Sequence, residues 1–149
     1  MGKLEEFLDR HKIFGADTMV FIYHLEDHPI YSPITQSIFE AWEKGRNRGV
    51  TSVITLLEIL VRPKKEGRPE AARDYLDLLT TFPNLIIVEV NLEVADLASD
   101  LRAKYGIRTP DAIQVASVLT AGARGFITND KRLKRIAELE VLLLDELLS

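Results

Sequence analysis

The sequence predicts an α/β fold, a central parallel sheet covered by helices on both faces, and two observations carry that expectation. Five short strand-like segments, mostly apolar, at 13–16, 50–53, 85–90, 125–128 and 141–144, alternate with longer segments whose apolar residues recur at helical spacing. Strands that are apolar throughout, rather than every second residue, belong in a sheet with both faces covered, and intervening helices provide the crossovers that parallel pairing requires. The 149 residues suit one domain, 1–149, able to bury about two-thirds of its unfolded surface.

In chain order, residues 3–12 place Leu4, Phe7, Leu8 and His11 at helical spacing, giving a short amphipathic extension (1–12) with His11 at the surface. Ile13-Phe14-Gly15-Ala16 reads as a buried strand that stops at Asp17-Thr18, where a helical pattern over 19–25 begins. Residues 34–44 set Ile34, Ile38, Phe39 and Trp42 on one helical face, with Trp42 in the core, and Gly45 and Gly49 close that segment. A strand at 50–53 leads into a helix at 54–60, where Ile54, Leu57 and Val61 share a face and Glu58 stands among apolar neighbours. A bare carboxylate is costly to bury, so Glu58 either points to solvent or has a cation. Residues 63–68 read as a basic turn and 69–82 as an amphipathic helix. The clearest strand is 85–90, followed by a helix over 92–105 that Gly106 ends.

The next helix opens at Thr109-Pro110-Asp111. Thr109 is expected to cap it through its hydroxyl, with Pro110 at the first helical position and Asp111 in the first turn. Ala112, Ile113, Val115, Ala116, Val118 and Leu119 make it apolar on several faces, so it packs within the core. Strand 125–128 stops at Asn129-Asp130, and 141–144 is the last strand.

Composition sets outer bounds. Hydrophobic content of 46% and charged content of 28% are ordinary for a globular chain. The apolar run 141–144, like every other in the sequence, is far too short for a membrane span. The early charges Lys3, Glu5, Glu6, Asp9 and Arg10 do not suit a signal peptide, so a cytoplasmic protein is expected. Absence of cysteine excludes disulfides and thiolate chemistry. A net charge of −4 argues against non-specific coating of nucleic acid, although acids gathered at one site leave basic patches elsewhere.

Open α/β sheets bind ligands beyond the carboxyl ends of their strands, where Asp17 and Asp130 are expected. Asp111 and Glu58 lie on helices that can open at the same edge. Alone, a first-turn Asp does no more than complement the helix dipole, for about 0.3–1 kcal/mol. Convergence of all four acids is a different case, because two carboxylates about 5 Å apart repel by about 3 kcal/mol at an effective dielectric of about 20. A hard divalent cation removes that strain, and oxygen-only ligands favour magnesium or manganese over zinc or copper. His24 and His28 are four apart, but no third ligand is spaced to help and Pro29 ends that helix, so no zinc site is assigned to them.

Four segments, Ala16-Asp17-Thr18-Met19-Val20-Phe21-Ile22-Tyr23, Thr51 through Leu60, Thr109-Pro110-Asp111-Ala112-Ile113-Gln114-Val115-Ala116 and Phe126-Ile127-Thr128-Asn129-Asp130-Lys131, strongly resemble the ordered motifs of PIN-domain nucleases, especially VapC-type toxins. The resemblance implies a PIN-like three-layer sandwich and a Mg2+- or Mn2+-dependent endoribonuclease whose cuts leave a 5′-phosphate and a 3′-hydroxyl. It implies Asp17 and Asp111 as principal metal ligands, Asp130 and Glu58 for a second ion or its waters, and Thr128 as an orienting hydroxyl. Met19 departs from the pattern, standing where the family often has Asn or Ser. The resemblance also implies a homodimer and a cognate antitoxin. Lys131, Arg132, Lys134 and Arg135 follow the fourth acid, and Arg62-Pro63-Lys64-Lys65 follows the helix of Glu58, so these solvated runs are candidate RNA phosphate contacts.

Two other classes fit less of the sequence. A non-catalytic PIN interaction module would be expected to lose acids, and all four are present. A receiver-like signalling domain would want a phosphate-accepting Asp near mid-chain, and none is suitably placed.

Overall fold

The computed structural model describes residues 2–148, which form five strands: β1 (Ile13–Ala16), β2 (Arg48–Ser52), β3 (Leu85–Val88), β4 (Gly125–Thr128) and β5 (Glu140–Leu143). They pair only in parallel, in the order β3-β2-β1-β4-β5. The chain therefore builds outward from β1 to β3, then returns to add β4 on the other side of β1. A crevice opens at such a reversal, beyond the carboxyl ends of β1 and β4.

The helices are α1 (Lys3–Arg10), α2 (Thr18–Leu25), α3 (Ser32–Glu43), α4 (Val53–Lys65), α5 (Pro69–Thr81), α6 (Leu92–Tyr105) and α7 (Thr109–Thr120). Val94, Ala98 and Leu101 of α6 and Val115 and Val118 of α7 pack with Val50, Phe126, Val141 and Leu143 on one face of the sheet. Phe7, Val20, Phe21, Ile38, Phe39, Trp42 and Ile59 pack with Phe14, Ala16, Ile127 and Leu142 on the other. Neighbouring strand residues such as Phe126 and Ile127 thus serve opposite cores, which is why the strands show no strict apolar–polar alternation. The expected three-layer α/β sandwich is the observed one.

Several local expectations are corrected. The basic turn expected at 63–68 is in part helix, because α4 continues through Pro63 to Lys65. Pro63 forgoes its N–H bond to the preceding turn, and its ring is buried. The strand expected at 85–90 stops at Val88, since its one partner offers nothing beyond the Ser52↔Val88 pair. Thr109 does not cap α7: Arg108 is the N-cap residue and makes no side-chain cap bond, while Thr109 is already helical. His11 is not at the surface, because its side chain is only 14% exposed and bonds Glu140 at 2.5 Å.

Helix α1 lies against the amino ends of the strands. Phe7 and Leu8 are buried, and the rings of Phe7 and His11 press on Gly125, where an added Cβ would lie 2.8 Å from each. At its other end Lys3 pairs with Glu146, just past β5, so α1 is an integral part of the core packing.

Candidate active site

Asp17 leaves the end of β1 and caps α2, accepting a hydrogen bond from the Met19 N–H at 3.1 Å. The register of β1 and β4 pairs Ala16 with Ile127, which brings the next residue of each strand together. The buried Thr128 hydroxyl accordingly donates to Asp17 Oδ2, while its oxygen accepts from the Asp130 N–H at 3.1 Å. Burial pushes the Asp17 carboxyl up to about 6, against the opposing bonds from Thr128 and the Met19 N–H, and neighbouring Asp111 adds to the rise. Asp17 and Asp111 therefore feel each other directly.

Asp111 stands in the first turn of α7, with Oδ2 accepting from Arg108 Nε at 3.1 Å. Asp130 caps the short 3-10 helix Lys131–Arg135. The Arg132 guanidinium clasps it through Nε at 3.0 Å and Nη2 at 2.8 Å, which holds its carboxyl below the usual range. Arg108 lowers Asp130 further, and Asp111 acts on Arg132, so both guanidinium groups lie within the field of both acids. Glu58 is exposed on α4 and accepts from the Thr18 hydroxyl at 2.5 Å.

All four acids line one open cavity of about 950 Å³, together with Arg108, Lys131 and an apolar wall of Met19, Ile22, Leu57 and Val61. Among the described residues, no three acidic or histidine side chains are gathered closely enough to grip a metal ion as they stand. Each acid instead holds its own partner: a hydroxyl for Asp17 and Glu58, a guanidinium for Asp111 and Asp130. The donor set nonetheless suits a hard divalent cation, being carboxylate and hydroxyl oxygen throughout. Two arginines drawn onto two of the acids supply the positive charge that such a concentration of carboxylates requires.

The basic residues separate into two groups. Lys131 lines the cavity and Arg132 touches its edge through Asp130. Lys134 pairs with Glu146 at 2.7 Å, and Arg135 donates to the Tyr105 carbonyl at 2.5 Å, both outside the cavity lining. Arg62 is likewise engaged with Glu26 and Glu66. His24 stacks on Phe39 with ring centroids 3.9 Å apart, while His28 Nδ1 accepts from the N–H groups of Ile30 and Tyr31. Sequence reasoning missed Arg108, whose sole signal is its place three residues before Asp111, and it assigned no role to Gln114, Thr18 or Thr55 beneath the acids.

The buried carboxylate has a measurable cost in metal-free protein. A carboxyl raised from 3.8 to about 6 by folding stabilises the native state below the lower value and loses that contribution as pH rises through the higher one. The penalty at pH 8 is about 3 kcal/mol. Asp17→Asn should therefore be more stable than wild type in chelator at pH 8, with the gap closing between about pH 6 and 4. Urea unfolding across that range checks this, and a gap that ignores pH contradicts it.

Comparison with known proteins follows this geometry. A family model described as PIN domain matches residues 16–139. Among solved structures, a chain of VapBC2 from Rickettsia felis, bound to a DNA fragment from its promoter, matches with a TM-score of 0.70 at 21% identity, over 88% of this chain and 98% of that one. A chain of DNA-bound VapBC from Salmonella typhimurium gives 0.68 at 18% identity, over 88% and 97%. A toxin–antitoxin complex from Klebsiella pneumoniae gives 0.64 at 23% identity, over 87% and 96%. None of the curated proteins matches the sequence.

Proposed function

The chain belongs to the PIN domain family, and from that premise we propose that it is a ribonuclease, using Mg2+ or Mn2+ at Asp17, Glu58, Asp111 and Asp130 to hydrolyse RNA phosphodiester bonds. One observation carries the reading: four acids from distant parts of the chain line a single open cavity at the carboxyl edge of the sheet.

A divalent ion held there supplies Lewis-acid charge to the phosphodiester and a readily ionised water. Asp17 and Asp111 would hold it, Asp17 being fixed in place by Thr128 and the Met19 N–H. Glu58 and Asp130 flank them, able to orient water or a second ion. Arg108 and Arg132, now spent on carboxylates, become free to clamp phosphate oxygens once another cation neutralises the acids. Lys131 adds a point charge at the rim, and Met19, Ile22, Leu57 and Val61 offer apolar surface to bases.

Cleavage of a mixed RNA pool tests the reading. Cuts in manganese that vanish in chelator and leave 5′-phosphates are the expected result, and no cuts on any RNA would overturn it. The path of the RNA has its own check. Lys131→Ala should weaken RNA binding and reduce the salt slope by about 0.7, the share of one single-strand phosphate contact. An unchanged slope dismisses Lys131, and the same measurement on Lys134→Ala and Arg135→Ala decides whether those residues take part.

One of the solved structures this chain resembles is a toxin–antitoxin complex and two are VapBC complexes, which supports reading the chain as a toxin whose cognate antitoxin covers this cavity; a homodimer in the cytoplasm completes the proposal. One second reading, a non-catalytic PIN module that binds partners, is favoured by the spread of the acids, no three of which are closely gathered among the described residues. Manganese binding without any cleavage would select it.

A further inference from the structure

Beneath the acids lies a buried polar network that the proposed chemistry leaves unused. Gln114 of α7 is 4% exposed, and its amide reaches three other elements. Its Oε1 accepts from the Ser52 N–H at 3.2 Å, at the end of β2. Its Nε2 donates to Thr55 Oγ1 on α4 at 2.7 Å and to Thr18 Oγ1 on α2 at 3.2 Å.

Two backbone groups, the Ser52 N–H and the Ala16 carbonyl, set the direction of the bonds in this network. A backbone N–H can only donate, so Ser52 fixes which end of the amide is oxygen, and the NH2 group must face the two threonines. Thr51 donates its own proton to the Ala16 carbonyl at 3.0 Å, so the 2.7 Å contact between Thr51 and Thr55 takes its proton from Thr55. Thr18 already accepts from Gln114 and keeps one proton to give. Glu58 Oε1 lies 2.5 Å away, against 3.3 Å for Thr55, and a carboxylate is the stronger acceptor. The proton goes to Glu58.

We infer that Gln114 is a positioning residue for the proposed metal site, acting through the Thr18 hydroxyl to hold the Glu58 carboxylate in the cavity that Asp17 and Asp111 also line. This rests on the reading of Glu58 as part of that site. Glu58 is an exposed glutamate with a flexible side chain, and among the described residues the Thr18 bond is the one hydrogen bond its carboxylate makes. Removing the amide donor frees Thr18 to turn toward Thr55, and Glu58 is then released to solvent. Residues that orient metal ligands typically cost about 10–100-fold in metal affinity when lost.

The experiment is a double-mutant cycle on manganese affinity, read by electron paramagnetic resonance. Gln114→Met should weaken Mn2+ binding about tenfold or more in wild type and hardly at all in Glu58→Ala. Equal losses in both backgrounds would make Gln114 merely structural and overturn the inference. Should Gln114→Met fail to fold, Thr18→Val must show the same coupling to Glu58, and Thr18→Ser must restore affinity. A readout without metal separates this inference from the nuclease reading. In wild type the Thr18 hydroxyl proton should exchange slowly and couple to the Glu58 carboxyl carbon in NMR spectra, and the coupling should vanish in Gln114→Met. Wild-type protein that shows the coupling but binds no manganese refutes the metal reading alone, whereas absence of the coupling refutes the inference.

Discussion

Asp111→Asn is expected to reduce RNA cleavage by more than about a hundredfold, because even residues that only orient a ligand cost up to that much metal affinity. The fold should survive the change. Asp111 is partly exposed at the cavity, its partner Arg108 is 65% exposed, and such pairs contribute about 0–1 kcal/mol. Loss of the Asp111 charge also relieves the repulsion that helps to raise Asp17. Thermal unfolding of Asp111→Asn should therefore nearly match wild type while the rate collapses. Cleavage at the wild-type rate would remove Asp111 from the mechanism.

The largest expected loss of stability comes from a residue far from the acids. An added Cβ at Gly49 would lie 2.4 Å from Trp42 Cε2 and 2.7 Å from Cζ2. The indole is fully buried and packed against Phe14, Phe21 and Phe39, so it has no direction in which to retreat. Gly49 pairs with both Phe14 on β1 and Leu85 on β3, so the backbone cannot yield without disturbing the sheet. Gly49→Ala should cost about 3 kcal/mol, lowering the melting temperature by about 6–12 °C. The cost should shrink in a Trp42→Phe background, where the smaller ring leaves room; an equal cost in both backgrounds would show that the indole is not what excludes a side chain.

The layered fold was legible in the sequence because its strands are apolar on both faces and its helices are well punctuated. Gly106, for instance, ends α6 in the left-handed conformation at a φ of 67°. The boundaries that failed depended on neighbours. Where β3 stops is decided by the last residue of β2, and α4 runs on through Pro63, whose ring is buried. His11 looked like a surface residue because its partner Glu140 lies 129 positions away.

The shared cavity of Asp17, Glu58, Asp111 and Asp130 was foreseeable from strand ends and motif order. Their individual partners were not. Arg108 and Arg132 are ordinary in sequence, and only the folded arrangement shows each occupying a carboxylate. Gln114 sits on a helix face that reads as apolar, where nothing local distinguishes a buried amide bridging three elements from an inert one.

If the proposed site is right, these acids, each now bonded to an arginine or a hydroxyl, close on a divalent ion. A crystal soaked in manganese, with anomalous scattering collected at the manganese edge, tests it most directly. The account predicts a peak between Asp17 and Asp111, with the Arg108 and Arg132 guanidinium groups withdrawn from their carboxylates. Manganese bound elsewhere, or no peak with both arginine pairs intact, would contradict it.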